Sequence, residues 1–125
     1  MDNLRTYGNA PYRIAVLHGG PGAPGEMAPV ARELSREHGV LEPLQTQDTL
    51  DGQVEELRDL LESRASLPAT LIGWSWGAWL GYILAARYPA LVGKLILVGC
   101  PPFEPRYAAE IEDTRMSRLS EEEQR

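Results

Sequence analysis

Short apolar runs recur along this chain, and longer segments with a helical spacing of apolar residues separate them. An apolar run of about four to eight residues bounded by turn residues is typical of a buried strand. The predicted strands are residues 4–7, 12–17, 40–44, 69–72 and 94–98. We expect the first to be a short edge strand, the third to be a poor strand because Pro43 interrupts it, and the last to be buried.

Most of the segments between these runs carry apolar residues every three or four positions, which predicts amphipathic helices, while the segment after Ser75 is one apolar run of helical length. Helices are expected over residues 26–38, from Thr49 or Asp51 to about residue 64, from residue 76 to Arg87, and over residues 104–118. Residues 120–123 read Ser-Glu-Glu-Glu, a capping box that announces one more helix. Strands that alternate with helices predict an α/β fold in three layers, with a mostly parallel sheet of about four or five strands and helices on both faces.

The fourth predicted strand runs directly into Gly73-Trp74-Ser75-Trp76-Gly77, and a helix follows. G-x-S-x-G between a strand and a helix is the pattern of a nucleophile elbow. The turn is too tight for a Cβ on either flank, so Gly73 and Gly77 let the strand and the helix pass close together. Ser75 would then stand at the apex in a strained conformation, with the positive end of the helix dipole behind it.

The second predicted strand ends in His18-Gly19-Gly20-Pro21-Gly22. Its three glycines have no side chains to cover the backbone, so an amide of this loop can point at a ligand. In a serine hydrolase such an amide forms half of an oxyanion hole, and the residue after the nucleophile, here Trp76, supplies the other half. Taken alone, the loop is equally a plain Gly-Pro turn.

Composition and charge narrow the classes of partner. The chain has 125 residues, 43% of them hydrophobic, and a net charge of −6, which suits one acidic domain and argues against binding nucleic acid or an anionic membrane. Its single cysteine, Cys100, excludes an intrachain disulfide and fits a reducing compartment. The first residues contain no apolar signal segment. We therefore expect a cytoplasmic protein, with Cys100 as a small buried residue and not as a nucleophile.

Together, His18–Gly22 and Gly73–Gly77 resemble the motifs of the α/β-hydrolase superfamily, in particular its prolyl-aminopeptidase-like branch. The resemblance covers residues 13–98 most clearly. It implies a small ester or amide substrate, Ser75 as the nucleophile, the amides of Gly20 and Trp76 as the oxyanion hole, a structural role for His18, and neither a metal nor a cofactor. It also implies that the second to fifth predicted strands lie side by side with the third strand outermost, in the order third, second, fourth, fifth.

The departures from this family concern the catalytic base. The family places its acid and then its histidine after the serine. Here the two histidines, His18 and His38, both precede Ser75, and Glu104, which follows the fifth strand, is expected to be a solvated loop residue. Family members are also about twice as long, so residues 1–103 are expected to be a partial hydrolase core and residues 104–125 the start of cap helices. We expect this chain alone to be weakly active or inactive.

Three functions stay open at this point. The chain is the N-terminal portion of a serine hydrolase, or a non-catalytic hydrolase-like domain that binds a small ligand or a partner, or an unrelated flavodoxin-like domain whose glycine loops hold a phosphate or a cofactor. In the first two cases the last predicted strand lacks a neighbour, and an unpaired apolar edge invites another chain. We therefore expect a homodimer, or association with a separate C-terminal half.

Overall fold

The computed structural model describes residues 3–20, 23–102 and 104–120. Its elements follow the predicted alternation of strands and helices. The strands are β1 (Leu4–Tyr7), β2 (Tyr12–Leu17), β3 (Gly39–Pro43), β4 (Ala69–Trp74) and β5 (Val92–Val98). The helices are α1 (Ala28–Leu34), α2 (Leu50–Arg64), α3 (Trp76–Arg87) and α4 (Pro105–Ser117), with a short 3₁₀ turn, Pro89–Leu91, before β5.

The five strands form one sheet in the order β1-β3-β2-β4-β5. Strands β2 to β5 are mutually parallel, and β1 pairs antiparallel with β3 at the edge. The predicted order of the four parallel strands is therefore confirmed, as is the short edge strand at the N-terminus.

Alternate residues of the strands face two separate cores, which places helices on both sides of the sheet. Ala15 and Leu17 of β2 belong to a core with side chains of α2 and α3. Val16, between them, packs against Met27 and Ala31 on the α1 side. This period of two is what a sheet covered on both faces requires. The structure thus has the three predicted layers.

The start of α2 distinguishes between the two expected capping residues. The hydroxyl of Thr49 accepts a hydrogen bond from the Gly52 amide at 3.0 Å, so Thr49 is the N-cap. Asp51 instead lies in the first turn, where its charge suits the helix dipole. The helix ends at Arg64, as predicted.

The structure corrects the expected extent of two elements, α1 and β3. Helix α1 covers Ala28–Leu34 and not residues 26–38, because Pro29 suits only the first turn of a helix and the chain leaves the helix after Leu34. Strand β3 extends from Gly39 through Pro43 with all five residues buried, because it lies between β1 and β2.

Strand β5, expected to be buried, is largely exposed. It is an edge strand, and in the described part of the chain it pairs only with β4. Leu95 packs against the core, whereas Ile96, Leu97 and Val98 remain 38–46% exposed. Helix α4 contributes no buried residue, and its Tyr107 and Ile111 are each 43% exposed. The fold therefore presents an apolar surface at this end of the sheet.

Among the described residues, none of the helices has the length and apolar character that a membrane span requires. Gly22 lies outside the described residues, and so do residues 121–123 of the capping box at residues 120–123.

Candidate functional site

Ser75 stands between the last residue of β4 and the first residue of α3. Its backbone has φ 54° and ψ −117°, and among the described residues it is the one non-glycine residue with a positive φ. Such a conformation costs on the order of 1–3 kcal/mol, and strain of this kind is concentrated at functional sites. The Ser75 amide donates to the Val98 carbonyl at 3.0 Å, which ties the turn to β5.

Glycines on both sides of Ser75 allow the strand and the helix to touch. A Cβ on Gly73 would lie 2.6 Å from the Cα of Ala78. A Cβ on Gly77 would lie 2.6 Å from the carbonyl oxygen of His18 and closer still to that of Leu17. Real Cβ atoms do not approach backbone atoms so closely, so both positions need glycine for this packing.

The glycine loop after β2 lies against the serine. Gly19 is buried, and a Cβ on it would lie 3.3 Å from the Cβ of Ser75 and 3.1 Å from Cδ1 of Trp74. Gly20 follows with a positive φ of 125°. The structure thus brings together two motifs that are more than fifty residues apart in the sequence.

His18 has no free ring nitrogen. The side chain is fully buried, its Nε2 accepts a hydrogen bond from the Gln45 amide at 2.9 Å, and its Nδ1 lies 2.7 Å from the Gly19 carbonyl oxygen. These partners assign the tautomer in which Nδ1 carries the proton and donates it to that carbonyl. With both nitrogens engaged, His18 holds the loop and is not available as a base.

The same contact orients the next peptide group. In a trans peptide the C=O and the following N–H point in opposite directions. The His18 ring holds the Gly19 carbonyl oxygen, which directs the Gly20 N–H away from the ring. Trp76 is the first residue of α3, where a helix amide has no intrahelical acceptor and carries partial positive charge.

His38 is far from Ser75 in the topology of the sheet. It immediately precedes β3, whereas Ser75 immediately follows β4, and both strands run parallel to β2. The two residues therefore lie at opposite ends of the sheet, and His38 is exposed. Neither histidine is therefore placed to act as a base on Ser75, His18 because its ring nitrogens are engaged and His38 because of its distance.

Glu104 and Cys100 show no catalytic geometry. Glu104 is exposed and forms an ion pair with Arg106 at 2.8 Å. Cys100, expected to be buried, is only partly buried, because it follows the exposed end of the edge strand β5. This partial burial still raises the pKa of its thiol, which lowers the fraction of reactive thiolate at neutral pH.

Three tryptophans, Trp74, Trp76 and Trp79, lie in or next to the elbow, and two of them have satisfied indole N–H groups. Trp76 donates to Oε1 of Gln53 and Trp79 donates to the Pro101 carbonyl, each at 2.7 Å. Trp74 is 41% exposed and its ring covers Gly99. Trp76 and Trp79 also contact each other, with ring centroids 5.8 Å apart.

Two residues of the site were missed by the sequence analysis. Glu26 accepts a hydrogen bond from the Gly19 amide, and Gln45 binds His18 through both its backbone and its side chain. A side chain that bonds a distant loop backbone leaves no periodic signal in a sequence. Within the described residues, no group of three or more His, Cys, Asp or Glu side chains is arranged to hold a metal ion.

Comparison with known proteins relates the chain to hydrolases. No family model matches it. It is 35% identical to human epoxide hydrolase 4 over 52 residues, which are 42% of this chain and 14% of that protein. It is 36% identical to the biotin biosynthesis bifunctional protein BioHC of Teredinibacter turnerae over 67 residues, which are 51% of this chain and 12% of that protein.

Solved structures of hydrolases share the fold over most of the chain. E-2-(acetamidomethylene)succinate hydrolase superposes with a TM-score of 0.71 at 22% identity, covering 91% of this chain and 46% of that one. A thioesterase domain from the curacin biosynthetic pathway gives 0.70 at 21% identity, covering 94% and 50%. The chain has the α/β-hydrolase fold and spans about half the length of these structures.

Proposed function

We propose that this chain carries the nucleophile half of a serine hydrolase that cleaves an ester or an amide through an acyl-enzyme on Ser75. The observation that carries the proposal is the strained Ser75 backbone with the Gly19–Gly20 loop packed against it. Strain of this kind exposes a serine hydroxyl at the top of the sheet in a nucleophile elbow. The likeness to epoxide hydrolase 4 over 42% of the chain supports the coarser statement that the chain is hydrolase-like.

In this proposal the Ser75 hydroxyl oxygen adds to the substrate carbonyl carbon, and its proton leaves to a base. The carbonyl oxygen gains negative charge and is stabilised by the amides of Gly20 and Trp76. Loss of one such donor typically costs about 3–4 kcal/mol of transition-state stabilisation. The bond to the leaving group then breaks, and water later hydrolyses the acyl-enzyme.

Neither histidine is placed to act on Ser75, since both His18 ring nitrogens are engaged and His38 lies at the other end of the sheet, so in this proposal the base comes from beyond the described residues or from another chain. An oxyanion hole and binding alone can supply roughly 10³–10⁴-fold acceleration over water. The resemblance of His18–Gly22 to the prolyl-aminopeptidase-like branch favours a small amide or ester substrate. The alternative is a hydrolase-like domain without catalysis, which the engagement of both His18 nitrogens also fits.

Hydrolysis of p-nitrophenyl acetate tests this proposal. We expect the purified chain to release p-nitrophenolate slowly, within about 10⁴-fold of the uncatalysed rate, and Ser75→Ala to release it more slowly still. Equal rates for the two proteins would contradict the role of Ser75. Turnover at about 1–10³ s⁻¹, typical of complete enzymes, that Ser75→Ala abolishes would contradict the missing base.

We further propose that the exposed edge of β5 is covered by another chain in the active protein. Its apolar residues Ile96 and Val98 are 46% and 43% exposed, and an edge of this kind pairs readily with a second strand. The purified chain should therefore form a dimer at micromolar concentration by light scattering, with Ile96→Lys shifting it to the monomer. A monomeric wild-type chain would count against a homodimer and leave a separate C-terminal half to be tested by co-purification.

A further inference from the structure

The peptide group between His18 and Gly19 is held at both of its ends. The side-chain amide of Gln45 donates to the His18 carbonyl oxygen at 2.9 Å, and the Gly19 N–H donates to a carboxylate oxygen of Glu26. These two partners come from different loops, one after β3 and one before α1. Together they fix the plane of the His18–Gly19 peptide, one peptide before the Gly20 amide.

Glu26, Gly19 and Ser75 form one contact cluster. A Cβ on Gly19 would lie 2.5 Å from Oε1 of Glu26 and 3.3 Å from the Cβ of Ser75. A shift of the Gly19 amide would therefore move the loop relative to the nucleophile. Hydrogen bonds from a backbone N–H to a carboxylate are about twice as strong as neutral ones, which suits an anchor on the protein surface.

We propose that Glu26 is a positioning residue of this site, whose carboxylate anchors the Gly19 amide and so holds the Gly20 amide where it can reach the same substrate oxygen as Trp76. This inference rests on the proposed function. It assigns to Glu26 the role of acceptor alone, which a glutamine side chain can also fill. It does not make Glu26 the base for Ser75.

Removing the charge of Glu26 distinguishes a positioning residue from a base. A carboxylate beside the developing oxyanion opposes its negative charge. Replacing Glu26 with glutamine keeps an acceptor for Gly19 and removes that charge, so the site should react at least as fast as the wild type. Replacing it with alanine removes the anchor.

The rate of fluorophosphonate labelling at Ser75 provides the first test. We expect Glu26→Gln to label at the wild-type rate or faster, and Glu26→Ala to label at least about tenfold more slowly. Glu33→Ala is the matched control, because Glu33 is an exposed residue of α1 whose partner is Arg36 at 3.5 Å. A loss in Glu26→Gln as large as in Glu26→Ala would overturn the positioning role, and so would equal rates in all variants.

The Gly19 amide resonance in a nitrogen-15 NMR spectrum tests the anchor independently of any reaction. In Glu26→Ala the Gly19 proton loses its carboxylate acceptor and should move upfield of its wild-type position. Glu26→Gln keeps an acceptor and should move it less, and Glu33→Ala should leave it in place. A Gly19 proton at the wild-type position in Glu26→Ala would overturn the anchor, even if Ser75 never reacts and the proposed function itself fails.

Discussion

Replacing Gly77 with alanine will lower the free energy of unfolding by about 3 kcal/mol, at the upper end of what overpacking usually costs. The added methyl group would lie 2.6 Å from the His18 carbonyl oxygen and closer to that of Leu17. Both atoms belong to the backbone at the end of the central strand β2, so no side chain can rotate away. Relief requires α3 to move off the sheet, and the core residues Leu80 and Leu84 move with it.

Thermal unfolding followed by circular dichroism measures this effect, and a fall in Tm of roughly 10 °C is expected. Gly93→Ala is the matched control, because a Cβ at that position in β5 would lie 3.4 Å from its nearest neighbour, the Cβ of Pro68. The control should unfold within a few degrees of the wild type. Equal stability of Gly77→Ala and the wild type would show that α3 does not touch the backbone at the end of β2.

Much of the fold could be predicted because its signals are local. The strands β2 and β4 are largely apolar runs, α2 carries apolar residues at helical spacing, and α3 is an apolar run of helical length. Thr49 announces the start of α2 through its ability to accept a hydrogen bond from an amide in the first turn. The strand order required the resemblance to a known family, since apolar runs alone do not state which strands pair.

The errors arise where the surroundings of an element decide its state. Residues 94–98 have the composition of a buried strand, but β5 has one neighbour in the described sheet and exposes Ile96, Leu97 and Val98. The helix predicted over residues 26–38 extends to Gly39 as its stop, but its last apolar position is Leu34, where the helix ends and the chain turns toward β3. Burial is a property of the assembled sheet and not of the segment.

The candidate site also contains residues that the sequence reveals and residues that only the fold reveals. Its glycines and Ser75 are recognisable because a tight turn requires them at fixed spacing. Glu26 and Gln45 are not, because each meets the His18–Gly19 peptide only after the loops have folded over β2. Sequence reasoning finds the backbone frame of such a site and misses the side chains that hold it.

Ser75→Ala should abolish labelling by a fluorophosphonate, which is the largest effect on chemistry that we expect. The serine oxygen forms a bond to phosphorus and loses its proton to solvent water, fluoride leaves, and the phosphoryl oxygen occupies the position of an oxyanion. The strained backbone of Ser75 and the first amide of α3 favour this product. Labelling stops at the adduct, so the later hydrolysis step, which also uses a base, is not needed. A single labelling event therefore tests the elbow even in a chain that turns over poorly.

The decisive measurement is the site of that label in the folded wild-type chain, read by intact mass and peptide mapping. The account predicts one adduct per chain, on Ser75, with no adduct in Ser75→Ala. The amide NMR spectrum of the same sample must show that the chain is folded. A folded chain that takes up no label, or takes it up on another serine, would contradict the claim that Ser75 is the nucleophile of a hydrolase.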